Sequence, residues 1–145
     1  MRQKIKRMGR ILHTREQERD LAQAELRRCR DEEETLARRV QFLDQERQRI
    51  LEDFYQLSDQ CLSVRDLWYG RQRITCAEGE LKAAQEELVR AQERVAQAEH
   101  ELVERHRSVR MMETYVHKLR ETSEIQDRAS EQAALDDVTS ARYAL

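Results

Sequence analysis

Apolar residues recur at alternating steps of three and four along most of the chain, in two long series. The first reads Ile5, Met8, Leu12, Arg15, Arg19, Ala22, Leu26, Cys29, Glu33, Leu36, Val40, Leu43, Arg47, Ile50, Phe54, Leu57, Cys61 and Val64, and fourteen of these eighteen positions are apolar. The second reads Ile74, Ala77, Leu81, Ala84, Leu88, Ala91, Val95, Ala98, Leu102, Arg105, Val109, Met112, Val116 and Leu119, with Arg105 the one polar member. Beyond Leu119 it fades into Ser123, Gln126 and Ser130. Stripes of this period predict helices that each bury a narrow seam against another helix.

The two series are out of phase by one residue. Continuing the first past Trp68 lands on Arg71, Thr75, Glu78 and Lys82, while extending the second backwards lands on Gly70 and Leu67. Such a slip fits a skip in a single rod or a reversal of the chain. A reversal has two candidate places. One is Gly70. The other is residues 58–63, where Ser63-Val64-Arg65-Asp66 resembles a capping box with Asp in place of Glu or Gln. A turn near residue 62 makes facing residues sum to about 124, so Ile5 meets Leu119 and the two seams bury each other end to end. A turn at Gly70 sets Ile5 against a polar stretch near residue 137, so the first option is preferred. The expected fold is all-α, a long antiparallel two-helix coiled-coil hairpin forming a single domain over 1–145. Helix 1 covers about 3–59, the turn about 60–63, helix 2 about 64–130, and a frayed acidic tail 131–145. Each helix is then roughly 85–100 Å long at about 1.5 Å per residue.

Composition agrees with this. There is no proline and only three glycines, 39% of residues are charged, and seven are aromatic. Turn-rich α/β or all-β folds need more turn-formers than that. No apolar run exceeds three residues, so neither a membrane-spanning helix nor a signal-peptide core is expected. Three cysteines without CxxC spacing point to a reducing cytosol rather than a disulfide framework. The net charge of -2 hides an uneven distribution. Residues 1–30 carry ten Lys/Arg against four Asp/Glu, residues 31–60 four against nine, and residues 121–145 two against six. The hairpin is expected to lay the basic beginning beside the acidic end. Nucleic acid is not the expected partner, because no aromatic residues interleave with the basic arm.

Catalytic and metal-binding patterns are missing from the sequence. Gly9, Gly70 and Gly79 stand alone, so no phosphate-binding loop or nucleophile elbow is present. His13, His100, His106 and His117 lack ligand spacing and read as solvated side chains. Cys29 and Cys61 read as small buried seam residues, Cys76 as exposed. A polar layer is expected where Arg19 approaches Arg105, with Glu16, Glu18 and Glu104 nearby, and its first role is to fix register. The expectation is a non-enzyme without cofactor or metal. What remains is surface. Phe42, Tyr55, Trp68 and Tyr69 lie off the seams, and aromatic residues are enriched in binding hot spots. With a turn near 62, Tyr55 is expected close to Tyr69. For Trp68 and Tyr69, covering the hairpin end is an equal alternative.

Taken with Glu33-Glu34-Thr35-Leu36 in helix 1 and the stretch SVRDLWYGRQRI from Ser63 to Ile74, this proline-free hairpin resembles the flagellar FliJ and injectisome YscO proteins. These form the central stalk of type III secretion ATPases. Asp66-Leu67 and Arg73-Ile74 are closer to the injectisome branch, and the resemblance covers nearly the whole chain. It implies a stalk that inserts both termini in the pore of a hexameric secretion ATPase, activates it, and reaches the cytoplasmic domain of the large export-gate protein. Arg2, Lys4, Lys6, Arg7 and Arg10 would meet the ATPase; Phe42, with Tyr55, Trp68 and Tyr69, would meet the export gate. The flagellar pattern carries aromatics on helix 2 where this chain has Gly70 and Arg73. Export chaperones are a further implied partner without assigned residues. The implied location is the cytoplasmic face of the secretion apparatus, with no nucleic acid bound and no membrane insertion. The competing reading is a plain coiled-coil scaffold or tether, including a homodimeric rod.

Overall fold

The structure, a computed structural model, describes residues 1–60 and 63–144. Two helices account for it, α1 (Arg2–Ser58) and α2 (Val64–Ala144), packed against each other as an all-α hairpin. Both are rich in Ala, Leu, Glu, Gln and Arg, which rank highest in helix propensity. Pairs one turn apart, such as Glu34 with Arg38 and Glu101 with Arg105, add small increments. The Ser58 hydroxyl donates to the Tyr55 carbonyl at 2.8 Å, and Gln60 N–H to the Leu57 carbonyl at 3.1 Å, tightening the last turn of α1. Ser63 caps α2 by accepting from Asp66 N–H at 3.2 Å. The Asp66 carboxylate makes no return bond among the described residues, so half of the expected capping box forms. The expected reversal around Cys61 and the seam position of Cys61 lie outside the described residues.

The seams read from the sequence coincide with the buried stripe. From Ile5 to Phe54 and from Ile74 to Leu119 every seam residue is buried or half-buried. Leu57 and Val64 are exposed. The antiparallel register also holds: Leu43 clusters with Leu81, Ala84 and Val40, and a Cβ placed on Gly70 would lie 2.6 Å from Cε2 of Phe54.

Packing divides the chain into two units, one of Gln23–His100 and one of Met1–Ala22 with Glu101–Leu145. The Gln23–His100 unit holds most of the buried seam residues, although Glu33 and Arg47 also fall on its seam. Leu26, Cys29, Leu43, Leu81, Ala84, Ala91, Val95 and Ala98 are all buried, and Ala91 retains only 1% of its accessible surface. One residue of each heptad on α2 is small throughout this unit (Gly70, Ala77, Ala84, Ala91, Ala98), and the register sets them opposite Phe54, Arg47, Val40, Glu33 and Leu26. A small residue facing a large one lets two helices approach and interdigitate. At Arg47 the guanidinium reaches Asp44 on its own helix at 3.0 Å, while its Nε is buried without a hydrogen-bond partner.

In the other unit Val109 and Val116 are the buried residues, at 2% and 3% exposure. Its polar layer differs from the expected one. Glu18 bridges Arg105 across the seam at 3.0 Å and Arg15 on its own helix at 3.3 Å, while Glu101 holds Arg105 at 2.9 Å. Arg19 turns to Asp20, and Glu104 pairs with Arg107. Partial exposure limits the cross-helix pair to about 0–1 kcal/mol, so its main effect is on register.

Two expectations about the end of α2 are corrected. The helix does not stop near residue 130 but continues to Ala144, with every residue from 124 to 144 exposed. The seam fades there, yet Ala129, Ala133, Ala134 and Ala141 keep propensity high. Nor does the acidic end lie beside the basic beginning. The register sets residues 2–10 against about 114–122, and Glu131, Asp136 and Asp137 fall on turns that α1 does not accompany.

Candidate functional site

Three features stand out from the seam: a cationic cluster, a set of exposed aromatics with the grooves they line, and a charged network around Cys29.

Arg2, Lys4, Lys6, Arg7 and Arg10 occupy the first three turns of α1, all exposed, and none joins an ion pair among the described residues. At 100° per residue around the seam set by Ile5, Met8 and Leu12, they fall on five different directions. The charge therefore forms a collar around the exposed circumference of the helix rather than a one-sided stripe.

The four off-seam aromatics are exposed as expected: Phe42 57%, Tyr55 65%, Trp68 58% and Tyr69 53%. They do not form one cluster. Phe42 and Tyr69 line the same groove of about 390 Å³ together with Ile50, Arg73, Cys76 and others. A second groove of about 320 Å³ shares Ile50, Tyr69 and Arg73 with the first and extends past Phe54 and Gly70. Tyr55 instead lines a groove with Leu51, Arg71, Ile74 and Thr75, on the other flank of the helix pair. Trp68 stands one turn before Arg71 and two before Thr75 on that second flank, though its ring meets that of Tyr69 edge to face with centroids 5.2 Å apart. The expected closeness of Tyr55 to Tyr69 is thus replaced by Tyr55 packing edge-on to Phe54, at 6.2 Å. The reason is angular: Tyr55 and Tyr69 follow and precede their nearest seam residues, Phe54 and Gly70, and so leave the seam on opposite sides. Trp68 and Tyr69 keep more than half of their surface in solvent.

Gly70 is needed where it stands. The edge of the Phe54 ring occupies the space a side chain would take, which lowers the wall between Tyr69 and Leu57 and lengthens the groove. Sequence reading identified Phe42 and Tyr69 but passed over Ile50, Arg73 and Cys76. Ile50 was read as a seam residue alone, and Arg73 and Cys76 precede the seam residues Ile74 and Ala77 on the Phe42 side, a signal legible only once the register is known.

Cys29 is buried, and burial together with the nearby Glu25 carboxylate pushes its thiol above the usual range. Its Sγ donates to Glu25 at 3.7 Å. Arg28 bridges Glu25 and Glu32 on the outer face, and its guanidinium holds the Glu25 carboxyl below its ordinary value. Across the pair, Arg30 reaches Glu99 at 3.3 Å and Arg94 reaches Glu32 at 3.9 Å. This network ties α1 to α2 and leaves no nucleophile exposed. Cys76 is free and exposed in the first groove. Among the described residues no group of three His, Cys, Asp or Glu side chains is placed to hold a metal ion, and no helix is long and apolar enough to cross a membrane.

These features define a class of protein, an antiparallel two-helix hairpin of the coiled-coil kind. No protein family, curated protein or solved structure matches the chain.

Proposed function

We propose that this chain is a central-stalk protein of the FliJ/YscO kind, which inserts in the hexameric ATPase of a type III secretion system, activates it and couples it to the export gate. The observation that carries this reading is the cationic collar. Five exposed basic residues that join no ion pair among the described residues surround the start of α1, a distribution suited to a shaft surrounded by subunits rather than a surface docked on one side. An asymmetric two-helix shaft touches the members of a sixfold ring unequally and biases their conformational states, which promotes assembly and turnover. The chain binds no nucleotide and catalyses nothing in this reading. The exposed aromatics supply the export-gate contact, with Phe42 and Tyr69 on one flank and Tyr55 and Trp68 on the other. Export chaperones are further partners, and the place of action is the cytoplasmic face of the apparatus.

Adding the protein to the cognate ATPase is expected to raise its hydrolysis rate, and removing residues 1–12 to weaken that effect. An unchanged rate in both assays refutes the reading. Co-purification of a hexameric ATPase from the native lysate is the independent check.

A second reading, a coiled-coil tether acting as a homodimer, is favoured by one observation. The turns of α2 beyond α1 expose Ile125, Leu135, Val138 and Tyr143 without a partner helix. Sedimentation equilibrium separates the two: a monomer at micromolar concentration removes the tether, a dimer that ignores the ATPase supports it.

A further inference from the structure

The two contiguous grooves on the Phe42 flank combine an apolar floor with a carboxylate rim. Ile50 and Tyr69 belong to both grooves, so the floor is continuous from Phe42 to Leu57. Around it stand Glu46, Asp53, Asp66 and Glu80 against a single lining cation, Arg73. Glu46 is held by Arg49 at 2.8 Å, whereas Asp53, Asp66 and Glu80 join no ion pair among the described residues. The groove on the opposite flank, lined by Leu51, Tyr55, Arg71, Ile74 and Thr75, contains no acid. The two flanks of the same helix pair therefore differ in sign, and the difference selects a partner.

We propose that the Phe42 flank is the docking site of a basic amphipathic helix supplied by a partner protein. Two parallel ridges with an apolar trough between them accept a third helix, as in helix-in-groove recognition, where anchors one turn apart enter the trough. Phe42 and Tyr69 clasp those anchors, and Lys or Arg side chains on either side of the anchor stripe reach Asp53, Asp66 and Glu80. Arg73 orients the incoming helix by repelling cations from the centre of the trough. This deepens the coupling function above, because it rests on the aromatics being the export-gate contact and states the chemistry that contact requires.

Trp68 is the only tryptophan of the chain and its ring edge rests on Tyr69, so its fluorescence reports occupation of the trough. The probe is a fifteen-residue peptide of Leu and Lys in a helical pattern; the same peptide with Glu for Lys is the control. A saturable change in Trp68 emission is expected with the Lys peptide, and none with the Glu peptide. Affinity for the Lys peptide should fall at least tenfold in Asp53→Lys/Glu80→Lys and in Phe42→Ser, and weaken with added salt. Tyr55→Ala, on the other flank, should bind as the unchanged protein does. Circular dichroism verifies that each variant keeps its helicity; should the charge reversals unfold, Asp53→Asn/Glu80→Gln replaces them. Equal binding of both peptides, an affinity unaffected by removing the acids, or an equal loss in Tyr55→Ala overturns the proposal. A protein that stimulates the ATPase but ignores the Lys peptide loses the docking site and keeps its stalk function. One that binds the peptide through Phe42 without stimulating the ATPase does the reverse.

Discussion

Within α2 the residue that faces α1 at every second seam position changes character between the two units. In Gln23–His100 it is Gly70, Ala77, Ala84, Ala91 and Ala98; in the other unit it is Arg105, Met112 and Leu119. The small residues accompany the buried positions Leu81, Ala84, Ala91, Val95 and Ala98, whereas Arg105 draws the carboxylates of Glu18 and Glu101 to the seam. The switch falls where the packing itself divides. Two stretches with the same heptad period thus differ in how much each layer stabilises the hairpin: the period sets which face is buried, and the size at the facing position sets how well. The grooves on the Phe42 flank lie in the Gln23–His100 unit. The cationic collar lies in the other.

The sharpest way to break this contrast is to empty the seam of the Gln23–His100 unit. Leu81→Ala removes the centre of the Leu43–Leu81–Ala84 cluster and is expected to cost about 2–4 kcal/mol in urea unfolding. Met112→Ala should cost clearly less, and equal losses would erase the distinction between the units. Overfilling comes next. Ala84→Leu is expected to lose about 1–3 kcal/mol, because the added atoms meet Val40 and Leu43 with no room to move. Gly70→Ala sits between two effects: alanine gains roughly 1 kcal/mol in helix propensity but its Cβ displaces the Phe54 ring. The expected result is a small net loss with a changed Trp68 spectrum; a stabilised variant with an unaltered spectrum would show that Phe54 is not confined. Smaller again is the polar layer. A double-mutant cycle on Glu18→Ala and Arg105→Ala should give a coupling of about 0.2–1 kcal/mol that shrinks in high salt.

The smallest effect expected is a pH dependence at Cys29. Burial keeps its thiol protonated in the folded hairpin to higher pH than in the unfolded chain. Stability from this site is complete below the unfolded thiol's pKa and is lost as pH rises through the folded one. The stability gap between the unchanged protein and Cys29→Ala should therefore narrow above about pH 9, and a constant gap would remove the thiol from the account.

Much of this fold was legible in the residues because a two-helix coiled coil writes its buried face directly into its period. Ile5 to Phe54 and Ile74 to Leu119 are the buried stripes, and the sum of 124 that placed Ile5 against Leu119 also pairs Leu43 with Leu81 and Phe54 with Gly70. The helical end of α2 was less legible, since a fading seam removes packing without lowering propensity, and the two signals diverge after Leu119. The docking surface was half legible. An off-seam aromatic announces itself, but its flank depends on a single residue of offset, and that offset separates Tyr55 from Tyr69.

The sequence by itself determined the all-α hairpin, the residues of the seam and the exposure of the collar and the four aromatics, because each follows from local period and composition. Tertiary packing decided the rest. It gave Glu18 rather than Glu16 or Glu104 to Arg105, set Phe42 and Tyr69 over one trough with an acidic rim around it, and let Phe54 fill the space above Gly70. These depend on distances between helices far apart in sequence, which periodicity along a single helix does not encode.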